Sequence, residues 1–235
     1  MYGLDYLLYM LFIAVAMYSV YAQFRVNSTF KKYSNVPNAK GYTGADVARL
    51  LLEQEGIHDV QVEPIRGNLT DHYDPTSKVL RLSETVYGST SVAALGVAAH
   101  ETGHAVQHNR GYAPLSIRTS IFPAVSLGSK LAMPLIIVGI LFYYFSYNMI
   151  IAQIGVVMFS LVVLFQLVTL PVEFNASSRA LTMLKTNNFL TQEELRPARK
   201  VLWAAAMTYV AAAATSIIQL LRLILMVSGG RRNND

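Results

Sequence analysis

Four long apolar runs limit what this chain can become. They extend from about Leu4 to Phe24, Leu131 to Tyr147, Ile150 to Leu170 and Leu202 to Val227. A helix rises about 1.5 Å per residue, so roughly twenty apolar residues cross the hydrocarbon layer of a bilayer. Inside lipid every backbone N–H and C=O must be satisfied within the segment, which makes each run a helix. The chain is 53% hydrophobic and only 14% charged, which suits an integral membrane protein better than a soluble one. Its lipid partner is therefore the bilayer itself. The net charge of +5 comes from Lys and Arg that flank the runs, with no basic stripe interleaved with aromatics. That placement argues against a nucleic-acid partner and for anchoring on the cytoplasmic side.

The flanking charges give an orientation. Asp5 precedes the first run, while Arg25, Lys31 and Lys32 follow it. Val20-Tyr21-Ala22 loosely matches a cleavage site, but a basic n-region is missing, so an uncleaved anchor is expected over residues 1–24. Its N-terminus would lie outside and residues 25–118 would form a cytoplasmic α+β segment. Residues 119–171 read as two spans joined near Asn148, with the Tyr and Phe cluster at 142 to 147 at the far interface and an end at Pro171. Residues 172–200 read as a basic cytoplasmic segment carrying Arg179, Lys185, Arg196, Arg199 and Lys200. Residues 201–235 hold the last apolar helix, interrupted by Arg222 and followed by Arg231 and Arg232. We expect it to span, although the positive-inside rule does not favour those last charges outside. The whole is a multi-pass protein of the cell membrane, mostly helical, with about four spans and a small cytoplasmic α+β part.

Within residues 25–118, Thr43 and Asp46 mark a helix start and Gly56 a stop. Val60, Val62 and Ile65 predict a strand, as do Val79 to Leu82, while Asp71-His72-Tyr73-Asp74-Pro75 reads as a turn. Ser89, Thr90 and Ser91 offer N-caps for an Ala-rich helix from Val92 to Val106. That helix contains His100-Glu101-Thr102-Gly103-His104, an H-E-x-x-H pattern. Residues four apart share a helix face, so two imidazoles can meet one zinc ion, with Glu101 about 100° around the axis. Two nitrogen ligands and a carboxylate base are what metal-assisted hydrolysis needs. By composition alone a chain of this length shows the pattern about once in 150 cases. The chain has no cysteine, so further ligands must be His, Asp or Glu.

A catalytic zinc takes three protein ligands and leaves one position for water. The acids Asp71, Asp74, Glu84 and Glu173 and the imidazoles His58, His72 and His108 are the available kinds. Glu173 is distinctive because it follows Pro171 at the end of an apolar run, where a bare carboxylate is costly. An interfacial acid paired with Arg179 is the alternative. His108 lies about 12 Å along a straight helix from His100, too far for the same ion. His72 and Tyr73 are candidate transition-state donors, against ordinary turn residues. Arg179 and Tyr209 are similar candidates, against membrane anchors.

His100 to Gln107 (HETGHAVQ), followed by Glu173-Phe174-Asn175-Ala176-Ser177, resembles the bacterial membrane-bound neutral zinc metallopeptidases. Asp71 to Pro75 and Leu80-Arg81-Leu82-Ser83 also resemble that family, and the likeness covers most of the chain. It implies a small zincin-like domain with one zinc per chain on His100, His104 and Glu173, and Glu101 as the catalytic residue. The related heat-shock and prenyl-protein membrane proteases have an Asp, a partner of a ligand His, where this chain has Ser177. A hydroxyl can accept an imidazole N–H but brings no charge. The expected activity is endoproteolysis of polypeptides, membrane proteins among them, at the cytoplasmic face, with a peptide lying along Val79 to Leu82 as an edge strand. A non-proteolytic zinc hydrolase, or a structural membrane protein with a chance motif, are the competing readings.

Overall fold

Long apolar stretches become long helices. The structure is a computed structural model that describes residues Tyr2–Gly229. Arg231, Arg232 and the side chain of Asp5 lie outside the described residues. In chain order the elements are α1 (Tyr2–Tyr33), α2 (Gly44–Gln54), β1 (Gln61–Ile65), β2 (His72–Asp74), β3 (Val79–Ser83) and α3 (Glu84–Tyr87). They continue with α4 (Val92–Asn109), α5 (Ala113–Ser146), α6 (Ile150–Thr186) and α7 (Gln192–Gly229). Of these, α1, α5, α6 and α7 are long and apolar enough to cross a membrane. The chain divides into two units: one holds residues up to Tyr21, Ile117–Leu170 and the chain from Tyr209 onward, the other Ala22–Ser116 and Pro171–Thr208.

In the first unit, apolar side chains such as Leu141, Phe145, Val157 and Leu164 remain exposed, as lipid-facing residues should. Helices α5 and α6 turn back at Tyr147–Met149, where Asn148 Oδ1 accepts the Ile150 N–H at 2.8 Å. Their backbones come very close. A methyl group on Gly139 would lie 2.2 Å from the Ala152 nitrogen, and one on Gly155 2.8 Å from the Ala132 carbonyl oxygen. Small residues that admit such approach are the usual means of packing helices in lipid. Arg222, which interrupts the last apolar run, stacks over the rings of Phe12 (4.6 Å) and Tyr9 (5.3 Å) of α1. It also donates to Gln219 Oε1 at 3.0 Å. The cation is thus accommodated by aromatic faces and an amide rather than by a break in the helix.

In the second unit, α2 begins with the expected capping box between Thr43 and Asp46, and the chain leaves it through Gly56 at φ +70°. Two of the sequence expectations need correction here. The Asp71–Pro75 segment is not only a turn: His72–Asp74 forms β2, antiparallel to β3. The sheet order is therefore β1-β3-β2, with β1 parallel to β3, and β3 is the central strand rather than an edge. Three residues are too few for alternation to be visible in the sequence.

The other surprise is Pro171. The sequence predicts that the second span ends there, yet α6 runs through it to Thr186. A proline inside a helix loses one hydrogen bond. Continuing the helix buries Ala180, Met183 and Leu184 in the same core cluster as Ala94, Leu95 and Ala98 of α4. Burial of that size outweighs one lost bond, and only the folded chain reveals it.

Candidate metal centre

The site grows from how closely α4 and α6 approach. Ser91 caps α4 by accepting the Ala94 N–H at 3.1 Å, and the helix then continues through Asn109, one turn beyond the expected end. Its alanines and glycines leave little bulk on the inner face. A methyl group on Gly103 would sit 2.8 Å from the Ala176 carbonyl oxygen of α6. That near-contact of backbones places Glu173, about one turn before Ala176, opposite the two histidines on either side of Gly103.

Glu173 Oε2 lies 3.3 Å from His100 Nε2 and 3.6 Å from His104 Nε2. The imidazole rings stand edge-on at 85°, with centroids 4.7 Å apart. Among the described residues, His100, His104 and Glu173 are the cluster of side chains able to hold a metal ion, one ligand atom from each lying within 4.8 Å of the others. Three atoms bonded tetrahedrally to one zinc at about 2.0–2.1 Å would stand about 3.3 Å from one another. The spacing fits the ion, and so does the donor set of two imidazoles and one carboxylate.

The imidazoles are held from behind. Arg179 can only donate, and its Nε points at Asn175 Oδ1 at 2.8 Å, so that Asn175 atom is the acceptor. Gln107 Nε2 then spends its two hydrogens on Asn175 Oδ1 (3.0 Å) and the Val172 carbonyl (2.8 Å). Only Gln107 Oε1 is left to face His104 Nδ1, at 3.0 Å, so Nδ1 must carry the proton. The Nε2 lone pair is therefore turned toward Glu173 and into the candidate site. His100 Nδ1 has the Ser177 hydroxyl at 3.1 Å, the contact expected of Ser177 in place of an Asp. Gln107, fully buried, and Asn175 are the residues that sequence reasoning missed. An amide one turn past a histidine in an Ala-rich helix was the one local hint for Gln107, and its partner Asn175 had none.

Glu101 lies on α4 beside the pair and is buried. That burial is the main reason its carboxyl pKa is raised above its ordinary value, against the opposing pull of His100 and His104. The other candidate groups are engaged elsewhere. Asp71 accepts from the Ser83 N–H (2.7 Å) and hydroxyl (2.9 Å) and braces β3. Burial raises its pKa as well. Asp74 accepts from the Thr76 N–H and the Ser77 hydroxyl. His72 Nδ1 meets the Thr70 carbonyl at 2.9 Å. Tyr73 binds His108 Nδ1 at 2.8 Å, and burial pushes its phenol up to about 12. Tyr209 belongs to the other unit, on α7.

Residues 8–228 match the family model described as "Putative neutral zinc metallopeptidase". The chain belongs to this zinc metallopeptidase family. It is also 49% identical, over 222 residues, to the "Putative membrane protease YugP" of Bacillus subtilis (strain 168). That likeness covers 94% of this chain and 97% of the relative. No solved structure matches. The family's zinc is consistent with the His100, His104 and Glu173 cluster, and the relative's description as a membrane protease with the four candidate spans.

Proposed function

We propose that this chain is a membrane-embedded, zinc-dependent endopeptidase of the gluzincin type, acting on polypeptides near the cytoplasmic membrane face. One zinc per chain would be held by His100, His104 and Glu173 in a small zincin-like domain. The observation that carries this reading is the convergence of those three ligand atoms beside the buried carboxyl of Glu101. An ion held there supplies a water acidified toward neutrality and a polarised peptide carbonyl.

The chain's own groups do the rest. Glu101 takes the proton from the attacking water at its carboxylate and gives it to the leaving amine nitrogen. Its raised pKa suits both halves of that task, since a residue that must accept and then donate works best near the operating pH. His104 is barred from shuttling protons through Nδ1, because that hydrogen is committed to Gln107. The Ser177 hydroxyl at His100 Nδ1 can accept its hydrogen in the same way.

The matched family and the Bacillus relative are both described in terms of proteolysis, which supports a peptide bond over another hydrolysable bond. With β3 covered on both sides, an extended peptide would dock on an outer edge of the sheet. The β2 edge is favoured because β2 packs against α4, the helix that carries Glu101. The positive flanks Arg25, Lys31, Lys32 and Arg179 support the cytoplasmic placement.

Cleavage of casein or a membrane-protein reporter by purified Glu101→Gln tests the mechanism. We expect zinc to be retained and turnover to fall by about 10²–10⁴-fold, the usual loss of a general base. Turnover within a few-fold of wild type would rule Glu101 out as the proton acceptor.

A further inference from the structure

We propose that the cleft between the C-terminal part of α6 and the N-terminal part of α7 is a binding site for an anionic phospholipid. The cleft has a volume of about 580 Å³ and lies wholly on residues 174–206. Three cations, Lys185, Arg196 and Arg199, line it together with Phe174, Trp203 and Ser177, and no acidic side chain does. Among the described residues none of these cations has a carboxylate within salt-bridge distance.

The cleft is polarised along its length. Lys185 lies about 16 Å of helix rise beyond Phe174, and Arg196 precedes Trp203 on the returning helix. The cations thus gather toward the α6–α7 turn, and the aromatic pair, with ring centroids 6.0 Å apart, closes the other end. In sequence, the aromatic end is where both helices adjoin their apolar stretches, before Pro171 on α6 and from Tyr209 on α7. A ligand with a phosphate at one end and an acyl chain at the other fits that polarity. The headgroup meets Lys185, Arg196 and Arg199, and the chain lies along Phe174 and Trp203. Basic pockets beside membrane helices take anionic headgroups for the same reason. Trp203 is 59% exposed, which for so large an apolar ring is costly in water and favourable at an acyl boundary.

A substrate peptide is the poorer occupant. Phe174, Ser178 and Thr182 stand 100–180° around α6 from Glu173 at about 100° per residue, so the cleft faces away from the ligand atoms. Ser177 is the exception, because it lines the cleft and also touches His100 Nδ1 at 3.1 Å.

Trp203 is the chain's one tryptophan and therefore reports the cleft directly. The experiment titrates the detergent-solubilised full chain with phosphatidylglycerol or phosphatidylcholine carrying brominated acyl chains, and reads Trp203 quenching. We expect phosphatidylglycerol to half-quench at a mole fraction lower by about tenfold or more, since each surface cation supplies about 1 kcal/mol. The preference should vanish in Lys185→Gln/Arg196→Gln/Arg199→Gln and survive in Lys185→Arg/Arg196→Lys/Arg199→Lys. In wild type it should also shrink at about 0.5 M salt, which keeps the test valid if the neutral variant fails to fold. Equal quenching by both lipids would reduce the cleft to ordinary lipid contact and overturn the proposal. Relief of quenching by millimolar inorganic phosphate would make it an anion site without a lipid, and relief by an acidic peptide would make it a peptide site. Either result would also overturn it.

Discussion

At the scale of single residues, the site depends on which nitrogen of His104 holds a proton. Arg179 and Gln107 both donate to Asn175 Oδ1, which leaves Gln107 Oε1 as the acceptor for His104 Nδ1 and turns His104 Nε2 inward. Gln107→Ala should therefore weaken zinc binding about 10–100-fold, the usual cost of losing a ligand's outer partner, as measured by competition with a chelator. In the metal-free site burial alone would lower the His104 pKa, but the Glu173 carboxylate outweighs it and raises it above its ordinary value of 6.5. Zinc must displace that proton, so apparent affinity should fall about tenfold per pH unit below the raised pKa. An affinity flat from about pH 5 to 8 would contradict this. The metal-free chain should behave oppositely. A raised pKa adds stability at low pH that is lost as pH climbs through it. The pairing of the two histidines was legible in the sequence because helix periodicity alone sets residues four apart on one face. Gln107 and Asn175 were not, because their role lies in a contact 68 positions apart in the chain.

At the scale of elements, Gly103 and Pro171 carry the most meaning. Gly103 lets α4 and α6 touch at backbone distance. Gly103→Ala should lower stability by about 1–3 kcal/mol, as overpacking does, and weaken zinc binding by separating Glu173 from the histidines. A thermal melt and a chelator titration on the same sample would show both, and a variant that melts like wild type would contradict the close approach. The caps, the long helices and strands β1 and β3 follow from local signals. Strand β2 and the continuation of α6 past Pro171 do not, since each exists only because of what it packs against.

For the whole molecule, the candidate ligands bind together two helices that are far apart in the chain. His100 and His104 come from α4, and Glu173 from α6. A bound ion should therefore stabilise the folded state by mass action, about 2.7 kcal/mol at a free concentration 100 times its Kd. Removing it with a chelator should lower the melting temperature of the wild type and leave His104→Ala unmoved. The four apolar helices were evident from hydropathy, whereas the packing of α5 on α6 through Gly139 and Gly155 required the structure. Both the ligand geometry and this linkage rest on one zinc at His100, His104 and Glu173. The direct measurement is metal content of the detergent-purified wild type beside Glu101→Gln, His104→Ala and Glu173→Ala. About one zinc per chain is expected in the first two and loss of zinc in the last two, as a three-ligand site requires. Zinc retained at full occupancy in Glu173→Ala, or none in wild type after zinc is supplied, would contradict it.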